Sequence, residues 1–240
     1  MDLLELLGFV GAFIMGVVLG LVGGGGSILT VPVFVYLMSI TPVTATAYSL
    51  FVVGSASFVG AFQNMKKGIV DYRTAIVFAT PAFAAVYVTR KFIVPAIPEN
   101  LFSVGDFTLT KDVGLMVFFA ILMLVASFSM IRSNSKEDVE RGAVQYNYPL
   151  IIIEGLLIGI FTGLIGAGGG FLIIPALVIL AKLPMKKAVA TSLLIIAIKS
   201  LIGFIGDVEN MEIDWPFLLF FTGLSIVGIL VGTWLSKFIE

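Results

Sequence analysis

The chain of 240 residues contains no cysteine and no histidine, and only 12% of it is charged. Without cysteine there is no disulfide frame, thiolate nucleophile or iron–sulfur cluster. Without histidine there is no Ser-His-Asp triad, no imidazole proton relay and no usual zinc site. Intramembrane metalloprotease and serine-type chemistry both lose their usual base. The shortage of charge excludes more. A soluble domain carries roughly 25% charged residues, and half that share cannot cover a water-exposed globule. The formal net charge of −1 leaves no basic surface for nucleic acid.

What is present is apolar: 59% hydrophobic residues, with 26 Gly and 21 Phe, and a mean hydropathy of +1.13. The apolar runs are continuous and of helical length, as in a multi-span helical membrane protein. A transmembrane barrel would show alternation instead. The runs are Leu3–Val22, Ser27–Met38, Thr44–Phe62, Thr74–Val88, Val113–Ile131, Leu150–Ile165, Phe171–Ala181, Ala188–Ile205 and Trp215–Phe238. The start carries Asp2 and Glu5 rather than a basic region, which reads as no signal peptide. Lys66, Lys67 and Arg73, then Arg132, Lys136 and Arg141, then Lys182, Lys186 and Lys187, and finally Lys237, fall in segments that can all be cytoplasmic. The N-terminus and the acidic loop Asp207–Asp214 read as external. The expected protein is thus a multi-pass protein of the cytoplasmic membrane with its N-terminus outside and its C-terminus inside. Arg90, Lys91 and Lys111 count against that orientation.

The chain repeats itself at an offset of 143 positions, from Pro32 to Pro175. Gly16, Gly20, Gly23 and Gly25-Gly26 match Gly159, Gly163, Gly166 and Gly168-Gly169. Ala45, Ala47, Ser49, Leu50, Ser57 and Gly60 match Ala188, Ala190, Ser192, Leu193, Ser200 and Gly203. The loop Lys66–Arg73 is basic, whereas its counterpart Glu209–Pro216 is acidic. By the positive-inside rule the copies face opposite ways, the inverted-topology repeat of secondary transporters. The expected fold is therefore all-α and polytopic, with glycine-broken helices. A first repeat spans 1–131, a cytoplasmic linker 132–148 and the second, inverted repeat 149–240.

Gly23–Gly26 and Gly166–Gly170 break apolar runs at matched positions. Each glycine in a helix costs about 1 kcal/mol relative to Ala, and unpaired backbone in hydrocarbon costs several kcal/mol. Such breaks survive where they line a cavity or lie inside protein. Half-helices starting at Ser27 and Phe171 would present N–H groups and a positive dipole end to an anion. The bland reading, close helix packing, suits Gly16/Gly20, Gly155/Gly159/Gly163 and Gly228/Gly232, which have GxxxG spacing. Pro32 and Pro175 lie a turn inside their half-helices, so either the unwinding extends to them or the helices kink.

Lys199 is the basic residue deep in a span, and an intramembrane lysine costs about 2.5–3.5 kcal/mol even on the permissive insertion scale. It reads as a positive charge for an anionic substrate. The alternatives are pairing with Glu154 or snorkelling. Glu154 is the candidate protonatable coupling group, or else an interfacial carboxylate near Lys182–Lys187. Ser49, Thr191 and Ser192 offer hydroxyl donors, unless they merely bond back to their own helix. The candidate substrate-binding set is Gly25, Gly26, Ser27, Ser49, Gly168, Gly169, Gly170, Thr191, Ser192 and Lys199. No nucleotide fingerprint is present, and neither a cofactor nor a metal site is implied.

The doubled phrase resembles the TauE/SafE family of sulfite-exporter-like membrane proteins. It reads Gly23-Gly24-Gly25-Gly26-Ser27-Ile28-Leu29-Thr30-Val31-Pro32 followed by Ala45-Thr46-Ala47-Tyr48-Ser49-Leu50. Its second occurrence is Gly166-Ala167-Gly168-Gly169-Gly170-Phe171-Leu172-Ile173-Ile174-Pro175, then Ala188-Val189-Ala190-Thr191-Ser192-Leu193. Gly68-Ile69-Val70-Asp71 also looks like the family, whereas the second copy has Met211 in place of the glycine. The resemblance implies export of small sulfur-containing anions such as sulfite or sulfonates, coupled to an ion gradient. The expected function is a secondary transporter of such anions by alternating access. Its partners would be the anion, the lipid bilayer and a coupling proton or sodium ion. A passive anion channel and a non-transporting assembly partner are the rivals, and an enzyme is not expected.

Overall fold

The computed structural model describes residues 3–24, 26–104, 107–132, 148–179, 181–236 and 238. Gly25 and residues 133–147, which hold most of the expected linker, lie outside the described residues. The described chain is almost entirely helical. Helix α1 (Leu3–Val22) leads into the first glycine stretch, and α2 (Ser27–Pro32) follows it. Then come α3 (Pro42–Lys66), α4 (Tyr72–Val88) and the short α5 (Val94–Ala96). An antiparallel hairpin of β1 (Asn100–Val104) and β2 (Phe107–Thr110) precedes α6 (Lys111–Arg132). The second half comprises α7 (Tyr148–Ile165), α8 (Gly170–Ile179), α9 (Met185–Val208) and α10 (Trp215–Leu235). Among the described residues five helical stretches are long and apolar enough to cross a membrane. The protein is a multi-pass helical membrane protein.

Helix ends follow local chemistry. Pro42 opens α3 and Pro216 sits in the first turn of α10, where a missing N–H breaks no helical bond. Asp71 and Asp214 cap α4 and α10, accepting from Thr74 N–H at 2.8 Å and Phe217 N–H at 3.1 Å. Pro32 does not end its helix. The chain continues as a π-helical turn, Val33–Leu37, which absorbs the bond that proline cannot donate. A second π-helical turn, Thr89–Ile93, carries α4 on toward α5. The sequence reading stopped this span at Val88 because Arg90 and Lys91 look like a polar break. Arg90 is instead fully buried, and the apolar stretch runs to Ala96.

Three helix pairs frame the molecule. Gly16, Gly20, Gly228 and Gly232 bring the α1 and α10 backbones together. A Cβ on Gly20 would lie 2.6 Å from Ile229 O, and the contacts advance together along both helices, so the pair is parallel. Gly155, Gly159 and Gly163 do the same for α7 against α4, meeting Phe78, Ala82 and Thr89 in turn. These glycines serve helix contact, as their spacing implies. Helices α3 and α9 cross at the centre in the opposite sense: Gly54 meets Leu201, whereas the later Gly60 meets the earlier Leu193. Helix α4 runs alongside α9, with Val86 on Gly203 and Arg90 on Gly206. The outer faces of α1, α6 and α10 carry exposed Leu, Ile, Val and Phe, the apolar surface that lipid covers. Trp215 and Trp234 are exposed at opposite ends of α10.

Equivalent positions of the two copies share conformation. The described non-glycine residues with positive φ are Ser39 (53°) and Lys182 (51°), which occupy matched places in the repeat. The bond Ile40 N–H to Phe34 O at 3.0 Å has its counterpart in Leu183 N–H to Leu177 O at 3.1 Å. Asp71 N–H, after α3, donates to Thr191 Oγ1 on α9 at 3.0 Å. Asp214 N–H, after α9, donates to Tyr48 OH on α3 at 2.8 Å. Tyr48 and Thr191 are themselves matched positions. The end of each central helix is therefore tied near the start of the other.

Candidate functional site: the glycine loops and Lys199

The two glycine stretches meet in the interior. A Cβ on Gly24 would lie 2.6 Å from the Gly170 carbonyl carbon, a backbone approach that any side chain would block. Gly168 faces Ser27, with its Cβ position 3.3 Å from Ser27 Cβ. Gly169, at φ +66°, places its Cβ position 2.8 Å from Lys199 Nζ and against Thr162. Ser27, Gly168, Gly169, Gly170 and Lys199 thus gather round one point, together with Gly24 and Thr162.

Lys199 is 0% exposed. Its Nζ donates to Thr162 Oγ1 at 2.9 Å, and Thr162 in turn donates to Gly159 O. Among the described residues no carboxylate forms an ion pair with it. Glu154, the partner considered from sequence, is half-buried on α7 and makes no hydrogen bond or ion pair among the described residues. Snorkelling is likewise excluded by the complete burial. An ammonium has three N–H donors, and one is used here. Among the described residues the site therefore combines a buried ammonium without an ion pair, two further donors and the Gly169 backbone, against which Thr162 and Lys199 pack directly.

The remaining predicted residues divide. Ser49 is fully buried, and its Oγ has no hydrogen-bond partner among the described residues. It lies one turn beyond Thr46, which packs on Gly166, and one turn before Val53, which packs on Gly168, so helical spacing turns it to the second glycine loop. Ser192 bonds back to Val189 O at 2.8 Å, and Val189 packs on Gly23. Thr191 accepts from Asp71 N–H and lies with the end of α3. Gly26 packs on α1, its Cβ position 2.5 Å from Met15 O. The backbone donors expected at the half-helix starts are partly used internally: Ser27 N–H bonds Gly24 O, Gly169 N–H bonds Ala167 O, and Leu172 and Ile173 N–H bond Gly169 O. The basic side chain at this point is that of Lys199.

Sequence reasoning missed three participants. Thr162 gives no local signal, because a threonine within an apolar helix usually bonds back to its own turn. Arg90 was placed in an external loop. Asp207 was counted as a loop acid, but it is 5% exposed within α9. The two form an ion pair with Nη1 3.5 Å from Oδ1, while Lys91 pairs with Glu209 at 3.0 Å. Two of the basic residues that weighed against the orientation are therefore matched by acids.

Cavities open at both ends of the α3–α9 pair. One of about 770 Å³ is lined by Asn64, Lys67, Lys186 and Val189, and reaches the helix end at Gly20-Leu21. At the other end, one of about 430 Å³ is lined by Thr41, Thr44, Glu99, Lys111, Asp112 and Asp207. The first is basic, the second predominantly acidic.

Comparison with known proteins agrees with this architecture. A probable membrane transporter protein of Xylella fastidiosa is 28% identical over 229 residues, covering 93% of this chain and 81% of the relative. The probable membrane transporter protein YunE of Bacillus subtilis is 28% identical over 230 residues, covering 87% and 82%. A probable membrane transporter protein of Methanocaldococcus jannaschii is 28% identical over 208 residues, covering 85% and 72%. No solved structure matches the chain significantly. The model of the sulfite exporter TauE/SafE family matches residues 8–240, and the chain belongs to that family.

Proposed function

We propose that this membrane transporter carries small anions, sulfite, a sulfonate or a related sulfur oxyanion, by alternating access around Lys199. The observation that carries the reading is the buried ammonium with no carboxylate partner beside Gly169. An isolated buried charge is strongly unfavourable, and a bound oxyanion supplies the missing counter-charge. Charge-assisted N–H···O bonds to such an oxyanion are the strong kind. Ser49 adds a hydroxyl within the same interior region, whereas the Ser27 hydroxyl is donated to Gly24 O at 2.7 Å. Family membership supports the substrate class.

The inverted-repeat reading, with halves 1–131 and 149–240, is supported by direction. Helices α1, α3 and α10 run one way, and α7, α9 and α4, their counterparts in the repeat, run the other. Two copies related in this way rock about a shared site. The basic mouth at Lys67 and Lys186 fits the cytoplasmic face and the acidic mouth the external one, with the N-terminus outside. Either a proton or a sodium ion would couple the movement.

Purified protein in sealed proteoliposomes tests the proposal. Saturable flux of sulfite, accelerated by a proton or sodium gradient, is expected. Flux of no such anion under any gradient would overturn it, and ohmic conductance without saturation would make the protein a channel.

A further inference from the structure

The Arg90–Asp207 pair is built unlike a structural salt bridge. Arg90 is 0% exposed and Asp207 5%. Arg90 Nη1 donates to Thr46 Oγ1 at 3.0 Å and stands 3.5 Å from Asp207 Oδ1. Yet Nε and Nη2 of Arg90, and Oδ2 of Asp207, have no hydrogen-bond partner among the described residues. Burying a pair is favourable only when its remaining donors and acceptors are satisfied. A pair that leaves them open is suited to changing partners.

Asp207 also lines the cavity of about 430 Å³, its side chain 7% exposed and its Oδ2 buried while the pair is closed. At the matched positions of the other copy, Thr233 and Asn64 stand for Arg90 and Asp207, and neither ionises. The charged groups facing Asp207 are Arg90 from the π-helical turn after α4, Glu99 ahead of the hairpin, and Lys111 and Asp112 at the start of α6. Lys91 and Glu209 neutralise one another nearby. Lys199 lies eight residues earlier on α9, about 12 Å along the helix.

We infer that Asp207 is the proton-coupling carboxylate of this transporter, giving up its bond to Arg90 for a proton as Arg90 receives the anion on its way to or from Lys199. The inference rests on the anion-transport reading above. Once the pair opens, a proton from the cavity adds to a carboxylate oxygen of Asp207 and forms an O–H bond. Arg90 keeps all its protons, its ion pair opens, and a monoanion takes the place of the carboxylate. Before the step the site holds a guanidinium and a carboxylate. Afterwards it holds a guanidinium, a neutral acid and an anion. Its net charge is zero in both states, so no unpaired charge is left in the apolar interior. One proton accompanies each monoanion carried. The geometry thereby favours Asp207 over Glu154 for this role, because among the described residues Glu154 has no cation to release.

The test uses proteoliposomes with a trapped pH-sensitive dye and sodium sulfite as the probe, reading proton and sulfite movement together. Asp207→Asn should lower protons moved per sulfite by about tenfold or more, the scale of an ordinary coupling free energy, and Glu154→Gln should retain them. The double variant Arg90→Gln/Asp207→Asn, which removes both charges at once and so protects folding, should lose sulfite flux as well, because Arg90 receives the anion. Proton movement that persists in Asp207→Asn, or is lost in Glu154→Gln alone, overturns the assignment. Absence of sulfite flux in the wild type would count against anion transport instead. Infrared difference spectra on the purified protein then decide about Asp207. A protonated-carboxyl band that grows on acidification and is missing in Asp207→Asn supports it, and a band unchanged by that substitution sinks it.

Discussion

Lys199 shows how a single side chain can serve function against stability. A buried ammonium with one hydroxyl partner is a poor component of a core, and replacing buried ionic groups by apolar ones of similar volume is often stabilising by about 1–4 kcal/mol. Lys199→Met is therefore expected to raise the thermal unfolding midpoint in detergent while removing anion flux. A lower midpoint with flux intact would make Lys199 a framework residue. Its place within a span was readable from sequence, because Lys199 interrupts the apolar run Ala188–Ile205, but snorkelling was left open until the structure showed it buried. Its partner was not, since Thr162 sits on another helix and no spacing rule relates the two. Arg90 was misplaced for the converse reason. Two adjacent charges look like the end of a span until the acids that neutralise them, Asp207 and Glu209, are brought alongside.

At the scale of elements, the central pair α3 and α9 is tied by two matched bonds, Asp71 N–H to Thr191 Oγ1 and Asp214 N–H to Tyr48 OH. Loss of an acceptor leaves a donor unpaired and costs about 1–3 kcal/mol where it is buried. Thr191→Val and Tyr48→Phe are expected to destabilise by similar amounts, and nearly additively, because the two bonds share no partner. Thermal unfolding of the two single variants and the double checks this. A marked inequality would mean that the two ties are not equivalent in the folded protein. The helices themselves were legible: α1 and the start of α10 fall where the apolar runs place them. The π-helical turns and the hairpin were not. A π-helical turn depends on how a helix is held by its neighbours, and the hairpin occupies a stretch of mixed composition with no clear alternation.

At the scale of the molecule, opposite helix direction in the two copies is a statement about sidedness. The absence of cysteine makes it testable without a background. Single cysteines at Lys67 and Glu209 should react with impermeant thiol reagents from opposite faces of sealed vesicles. Labelling of both from one face would exclude the inverted arrangement. The same experiment assigns the basic mouth and the acidic mouth to their sides of the membrane.

The sequence by itself determined that the chain belongs in a membrane, where most of its helices begin and end, the stretch from α4 to Ala96 excepted, and that glycines cluster at two matched positions. Those properties follow from composition, from the length of apolar runs and from internal repetition, all of which are one-dimensional. The tertiary structure decided which groups meet: Gly24 against Gly170, Lys199 on Thr162, Arg90 on Asp207. These contacts join residues far apart in the chain. They arise from helix direction and close backbone packing, which no local pattern of side chains encodes.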